Sequence, residues 1–117
     1  MITVYGIAQC DTVKKAKAWL EGRGMAYQFH DFKKAGVSAD QLQAWAKAVG
    51  WEKLLNRHGT TWRKLDPAEQ ASVVDQESAL ALMGQYTSLI KRPVVQWPDQ
   101  ISIGFKADDW EDLAPKA

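Results

Sequence analysis

The chain contains very few of the residues that build metal sites and disulfides. Its 117 residues include one cysteine, Cys10, and two histidines, His30 and His58. A single cysteine excludes an internal disulfide and a Cys-X-X-Cys redox pair, so an oxidised Cys10 must be resolved by an external thiol. Because the cysteine and the histidines lack the spacing of metal ligands, the sequence predicts no metal site.

Long apolar runs and an excess of either charge are also missing. No stretch approaches the roughly 20 apolar residues of a membrane-spanning helix, and the N-terminus has no basic region followed by an apolar secretory core. The formal net charge is +1, with both signs interspersed, which argues against a broad nucleic-acid-binding surface. We therefore expect a cytoplasmic protein that binds neither membranes nor nucleic acid directly.

The remaining composition is that of an ordinary globular protein, with 46% hydrophobic and 25% charged residues. A chain of this length without a repeat or a low-complexity linker predicts a single domain over residues 1–117. We expect this domain to be a monomer without a bound cofactor.

Hydrophobic periodicity predicts a strand, a helix and a second strand at the start of the chain. Apolar residues alternate over residues 2–7 and again over residues 25–30, which is typical of strands. Between them lies a helical pattern that ends at Gly22 and Gly24. Two strands joined through a helix indicate a βαβ unit with parallel strands.

Capping signals place the helices of the middle region. Ser38 begins a capping-box pattern before a helix that ends by Gly50, and a short helical turn follows over residues 51–56. Asp66 and Asp75 have the position of N-caps before two further short helices. Residues 57–61 break the periodicity and predict an exposed loop.

The last third of the chain predicts a hairpin and a closing helix. Apolar residues at 94–95 and 101–103 are separated by a turn at residues 98–100, as in two antiparallel strands. Trp110 and Leu113, three residues apart, indicate one apolar face of a helix over residues 107–113.

Cys10 lies where the first predicted strand gives way to the first predicted helix. At such a position a thiol lies beside unpaired backbone N–H groups and the positive end of the helix dipole, which lower the pKa of a cysteine. The alternative is that Cys10 is a small buried apolar residue, since cysteine is among the residues most often buried.

Three segments carry a more specific signal. Residues 4–16 are VYGIAQCDTVKKA, residues 54–57 and 60–63 are LLNR and TTWR, and residues 89–94 are LIKRPV. In order and spacing these segments resemble the ArsC family, which comprises glutaredoxin-like arsenate reductases with their Spx and YffB relatives; the YffB-like branch is the most similar. The resemblance extends over about residues 2–113. It implies an α/β, thioredoxin-like fold with a mixed four-stranded sheet and a helical insertion in the middle of the chain.

The resemblance also implies a function. A YffB-like protein is expected to be a glutathione-dependent thiol reductase, with Cys10 as its single nucleophile and glutathione as its co-substrate. Its substrate would be a small oxidised thiol or an oxyanion. Two alternatives stay open: an Spx-like regulatory module that binds RNA polymerase as a protein partner without catalysis, and a folded domain with an inert cysteine.

By the same resemblance, Arg57 and Arg92 converge on Cys10. Two guanidinium groups would favour the thiolate and would bind a carboxylate or an oxyanion through paired N–H donors. From the residues alone, each arginine is also compatible with a solvated end of a helix or strand. Pro93 matches the proline of this fold that faces the thiol and follows a cis peptide bond.

Thr12 and Lys14 complete the expected binding residues. Thr12 matches a family position at the helix start, where its hydroxyl or N–H can receive an anion; helix capping is the alternative. Lys14, with Lys15, would attract the carboxylates of glutathione, although such lysines more often form a solvated helix face.

The chain also departs from its relatives at functional positions. Gly6 and the residues at 103–105, IGF, stand where the arsenate reductases have a histidine and a third anion-binding arginine. Asp11 adds a negative charge next to Cys10 unless it caps the helix. Val13 replaces the second cysteine of the Spx switch. We therefore expect arsenate to be a poor substrate.

Overall fold

Four strands form one mixed sheet in the computed structural model, which describes residues 2–114. The strands are β1 (Ile2–Gly6), β2 (Tyr27–Asp31), β3 (Val94–Gln96) and β4 (Ile101–Ile103). Their order is β2-β1-β3-β4; β1 pairs parallel with β2, and β3 pairs antiparallel with β1 and β4. The predicted mixed sheet, βαβ unit and hairpin are confirmed, although β2 begins two residues later than its sequence pattern.

The helices follow the predicted order with two additions. They are α1 (Asp11–Gly22), α2 (Phe32–Ala35), α3 (Ala39–Val49), α4 (Trp51–Leu54), α5 (Thr60–Lys64), α6 (Pro67–Ala71), α7 (Gln76–Gln85) and α8 (Ala107–Leu113), with a 3₁₀ turn over Thr87–Leu89. Helices α2 to α7 follow one another between β2 and β3, so the helical insertion is present. No helix within residues 2–114 is long and apolar enough to cross a membrane.

The described residues form two compact units. One consists of residues 2–35 and 92–114 and holds the sheet with α1, α2 and α8; the other consists of residues 36–91 and holds α3 to α7. The single domain expected from the sequence includes residues 1 and 115–117, which lie outside the described residues. That domain assignment stays a prediction.

The core of the sheet-containing unit joins the inner face of β1 and β3 to one face of α1 and to α8. Its buried members are Ile2, Val4, Ala16, Leu20, Val95, Trp97, Trp110 and Ala114. The ring of Trp110 meets those of Trp19, Trp97 and Phe105 edge-to-face, at centroid distances of 5.4, 5.0 and 4.8 Å. Such pairs are favourable because the positive ring edge meets the negative ring face.

Two capping boxes begin the longest helices of the helical unit. The Ser38 side chain accepts a hydrogen bond from the Gln41 N–H at 3.1 Å, and the Asp75 side chain accepts one from the Ser78 N–H at 2.9 Å. These bonds satisfy N–H groups that have no partner within the helix. Both predicted caps are confirmed, and the helices they begin, α3 and α7, pack on each other.

The predicted loop over residues 57–61 is wrong at its end. Gly59 is the N-cap of α5, so Thr60 and Thr61 belong to a helix. Their β-branched side chains lower helix propensity only slightly, and the half-buried Trp62 gives this short helix an apolar contact surface. Asp66 precedes α6 as predicted, but its side chain makes no capping hydrogen bond.

Helix α2 has no counterpart among the sequence-based expectations. It follows β2 directly, and the Asp31 carboxylate oxygen Oδ1 accepts hydrogen bonds from the N–H groups of Lys33 and Lys34 at 3.0 and 3.4 Å. Phe32, at its first position, is fully buried. One capping carboxylate and one buried aromatic ring are enough for a single turn, which is too short for a periodic pattern.

Candidate functional site

Cys10 is the N-cap residue of α1. Its backbone is extended, with φ −76° and ψ 126°. The Cys10 N–H donates to the Ile7 carbonyl at 3.0 Å, and the Cys10 carbonyl accepts from the Lys14 N–H at 3.0 Å. The turn after β1 therefore leads directly into the helix and leaves the half-buried thiol beside the first N–H groups of α1. Those groups have no partner within the helix.

The surroundings of Cys10 favour its thiolate. Burial raises the pKa of the thiol, but hydrogen bonds from the Val13 N–H, the Arg92 side chain and the Thr12 N–H, together with the charge of Arg92, lower it by more. The pKa of Cys10 therefore lies below its ordinary value. Since the thiolate is the nucleophilic form, Cys10 is suited to attack a disulfide or another electrophile.

Arg92 and Pro93 lie immediately before β3. The Arg92–Pro93 peptide bond is cis, as the resemblance implied. Pro93 is buried, and its carbonyl accepts a hydrogen bond from the Gly104 N–H at 2.9 Å, which ties it to the end of β4. Because β3 lies beside β1 in the sheet, this segment places Arg92 at the Cys10 thiol. That Pro93 faces the thiol stays a prediction.

Among the expected residues of α1, Thr12 contacts the thiol through its backbone N–H. Lys14 is exposed on the helix, and its attraction for glutathione stays a prediction. Asp11 is the first residue of α1 and does not cap it, since Cys10 occupies the N-cap position. An acidic side chain in the first turn interacts favourably with the helix dipole.

Arg57 belongs to the helical unit, and its convergence on Cys10 stays a prediction. Its exposed guanidinium lies near two indole rings, with Cζ 5.8 Å from the ring centroid of Trp51 and 5.6 Å from that of Trp62. The preceding residue is anchored because the Asn56 N–H donates to the Leu89 carbonyl at 2.7 Å. Cation–π contacts of this kind limit the freedom of an exposed arginine.

Two residues of the site were not named from the sequence, although it did predict that helix N–H groups lie beside Cys10. The Val13 backbone N–H donates a hydrogen bond to the thiol. The valine side chain gives no sign of this role. Asp31 accepts a hydrogen bond from the Ala8 N–H at 3.4 Å, and so connects the Cys10 turn to the end of β2. The predicted parallel pairing of the first two strands could have indicated this contact. The carboxyl ends of neighbouring parallel strands lie at the same edge of a sheet, which brings Asp31 close to the turn after β1.

The fold and the site define a thioredoxin-like protein with a cysteine at the start of its first helix and a cis-proline before its third strand. The sequence matches the ArsC family over residues 5–113. The chain therefore belongs to the ArsC family.

Solved structures agree with this assignment. A YffB protein is 42% identical, with a TM-score of 0.93, and the match covers 98% of this chain and 100% of that one. An arsenate reductase-related protein of Brucella melitensis is 47% identical, with a TM-score of 0.75 and coverage of 95% and 92%. The resemblance to YffB-like proteins is confirmed.

Proteins with similar sequences include one without a known function and one transcriptional regulator. An uncharacterized protein of Haemophilus influenzae is 38% identical over 111 residues, covering 95% of this chain and 96% of its own. The global transcriptional regulator Spx of Streptococcus pneumoniae is 26% identical over 119 residues, covering 100% of this chain and 88% of its own. Family membership alone does not fix the activity.

Proposed function

We propose that this protein is a glutathione-dependent thiol oxidoreductase with Cys10 as its single nucleophile. The observation that carries the proposal is the set of donors on the Cys10 sulfur, which are two helix N–H groups and the Arg92 side chain. An exposed or half-buried thiol with a lowered pKa is the recurring feature of reactive cysteines. Membership in a family with arsenate reductase-related structures supports a redox role.

The reaction takes two thiol–disulfide exchanges. The Cys10 thiolate attacks the glutathione sulfur of a mixed disulfide between glutathione and a small thiol; a Cys10–glutathione disulfide forms, and the small thiol leaves as its thiolate and takes a proton. A second glutathione, which loses its proton to solvent, attacks that disulfide. It forms oxidised glutathione and releases the Cys10 thiolate, so atoms and electrons balance.

The lowered pKa serves both exchanges. In the first, more of Cys10 is present as the attacking thiolate. In the second, Cys10 is the leaving group, and a thiol of lower pKa leaves faster. Because the chain has no second cysteine, an external thiol must resolve the disulfide, and in this proposal that thiol is glutathione.

Glutathione carries two carboxylates, and in this proposal cationic residues of the chain bind them. Arg92 holds the thiolate, while Arg57 and Lys14 would bind the carboxylates and Thr12 would offer its N–H or hydroxyl. Pro93 would line the site beside the disulfide. The enzyme would act as a monomer in the cytoplasm, where glutathione is reduced, and would need neither a metal nor a bound cofactor.

A second candidate function is a regulatory module of the Spx type. It is favoured by the similarity to the Streptococcus pneumoniae regulator along the whole chain. Such a module would bind a protein partner, RNA polymerase, without catalysis. The two functions differ in their need for Cys10, because a Cys10→Ser variant would lose all reductase activity but would keep partner binding.

Intact-protein mass spectrometry tests the enzymatic proposal. Oxidised glutathione should add one glutathione to the native protein and none to a Cys10→Ser variant, and excess reduced glutathione should remove the adduct. Turnover of a small glutathione mixed disulfide should then depend on Cys10. A native protein that forms no adduct, but forms one after unfolding in urea, would contradict the proposal.

A further inference from the structure

Gly6, the last residue of β1, lies against the side chain of Val13 in α1. A Cβ atom at Gly6 would be 2.7 Å from Val13 Cγ2 and 3.4 Å from Val13 Cγ1. Carbon atoms in favourable contact are about 3.5–4.0 Å apart. Any side chain at Gly6 would therefore collide with Val13.

Val13 has little freedom to avoid such a collision. It is fully buried, and a valine within an α-helix strongly prefers one χ1 rotamer. The same residue donates its backbone N–H to the Cys10 sulfur. Its side chain thus contacts the end of β1 while its N–H contacts the thiol.

We propose that Gly6 is a positioning residue for Cys10: the absence of a Cβ lets Val13 pack against β1, and this packing holds the Val13 N–H on the Cys10 sulfur. The inference rests on the proposed function only in taking the Cys10 thiolate as the reacting group. The backbone itself does not require glycine here, because Gly6 does not have a positive φ. The requirement comes from the contact with Val13.

Substitution of Gly6 would leave the charges of the site in place. The elements around the turn carry several charged or titratable groups: Asp11, Lys14, Lys15, Lys17 and Glu21 on α1, His30 and Asp31 on β2, and Arg92 before β3. A larger residue at position 6 alters none of them, and it alters no donor chemically. Its effect on Cys10 would come from displacement of the first turn of α1.

The variant Gly6→Ala tests this role through the pH dependence of Cys10 alkylation. We expect the alkylation midpoint to move to higher pH. The rate at a pH below the parent's midpoint should fall roughly three- to tenfold, as for the weakening of one hydrogen bond of ordinary strength. Gly22→Ala is the matched control, since a Cβ at Gly22 has no neighbour within 4 Å. It should keep the parent's midpoint.

A second substitution separates the collision from other effects of the alanine. Val13→Ala removes Cγ1 and Cγ2 and leaves Val13 Cβ, which is 3.6 Å from the Cβ position at Gly6 and in ordinary contact. The double variant Gly6→Ala/Val13→Ala should therefore have the midpoint of Val13→Ala. This comparison remains available if Gly6→Ala alone does not fold.

Two results would overturn the positioning role. One is a folded Gly6→Ala protein with the parent's midpoint, in which Val13 accommodates the methyl group without moving its N–H. The other is a double variant whose midpoint lies above that of Val13→Ala. A parent protein that forms no mixed disulfide at Cys10 would instead refute the proposed function.

Discussion

At the scale of single residues, the reactivity of Cys10 comes from donors that the rest of the chain brings to it. The thiol is half-buried, and burial alone would raise its pKa; the N–H groups of Thr12 and Val13 and the side chain of Arg92 reverse that effect. This balance argues against Cys10 as an inert apolar residue, because an inert buried thiol has its pKa raised.

Replacement of Arg92 should raise the pKa of Cys10. Arg92→Ala removes both a hydrogen bond and a positive charge from the thiolate, so the alkylation midpoint should move to higher pH. Arg92→Lys should restore it only in part, because an ammonium lacks the planar fork of the guanidinium. The matched control is Lys91→Ala, an adjacent and exposed cation. An unchanged midpoint in Arg92→Ala would refute the role of Arg92.

The resemblance named Cys10 and Arg92 as residues of the site, and the strand–helix junction predicted backbone N–H groups beside the thiol without saying which ones. Cys10 and Arg92 do meet, and Thr12 does contact the thiol. The cis bond before Pro93 came from the resemblance, since cis bonds are only about 5–6% of X–Pro bonds. Val13 was not named because every residue type except proline carries the same backbone N–H, so residue type does not show which N–H group reaches the sulfur. Asp31 was missed because its contact with Ala8 depends on strand pairing.

At the scale of elements, local chemistry explains which boundaries were predictable. The starts of α3 and α7 were found because Ser38 and Asp75 each accept a capping hydrogen bond from the residue three positions later in the sequence. Helices α2 and α5, of four and five residues, were missed, whereas the equally short α6 was found because Asp66 and Pro67 mark its start in the sequence. One helical turn cannot show a 3.6-residue period, and its stability comes from tertiary contacts.

Helix α8 should depend on Trp110 for its place on the core. Trp110 is 1% exposed and contacts three aromatic rings, so Trp110→Ala should lower the free energy of unfolding by about 3–5 kcal/mol. Urea unfolding measures this value. Lys15→Ala, at an exposed position in the same unit, should change it by less than about 0.5 kcal/mol. A loss from Trp110→Ala of less than about 1 kcal/mol would contradict the packing described.

At the scale of the whole molecule, local sequence patterns predicted two of the three strand pairings in the sheet. The parallel pair β1–β2 follows from the βαβ pattern, and the β3–β4 hairpin follows from its turn. The pairing of β1 with β3 joins residues such as Val4 and Val95, which no local pattern relates. The resemblance to the ArsC family implied one mixed four-stranded sheet but gave no strand order, so the β1–β3 pairing is known from the structure alone.

Arsenate should be a poor substrate beside a small glutathione mixed disulfide. Gly6 cannot act as the histidine that the resemblance places there, and Phe105, in the segment without the third arginine, packs on Trp110. Loss of one donor to a developing charge commonly costs about 10²–10³ in rate. A coupled glutathione assay with both substrates measures the ratio. Efficient arsenate reduction that depends on Cys10 would contradict this ranking.

The pH dependence of Cys10 alkylation, in the folded protein and in the same protein unfolded in urea, tests the central claim most directly. Every rate reports one thiol because the chain has one cysteine. Since the fold lowers the pKa of Cys10, the folded protein should reach half of its maximal rate at a lower pH than the unfolded protein. A folded midpoint equal to or above the unfolded one would contradict a thiolate stabilised by α1 and Arg92.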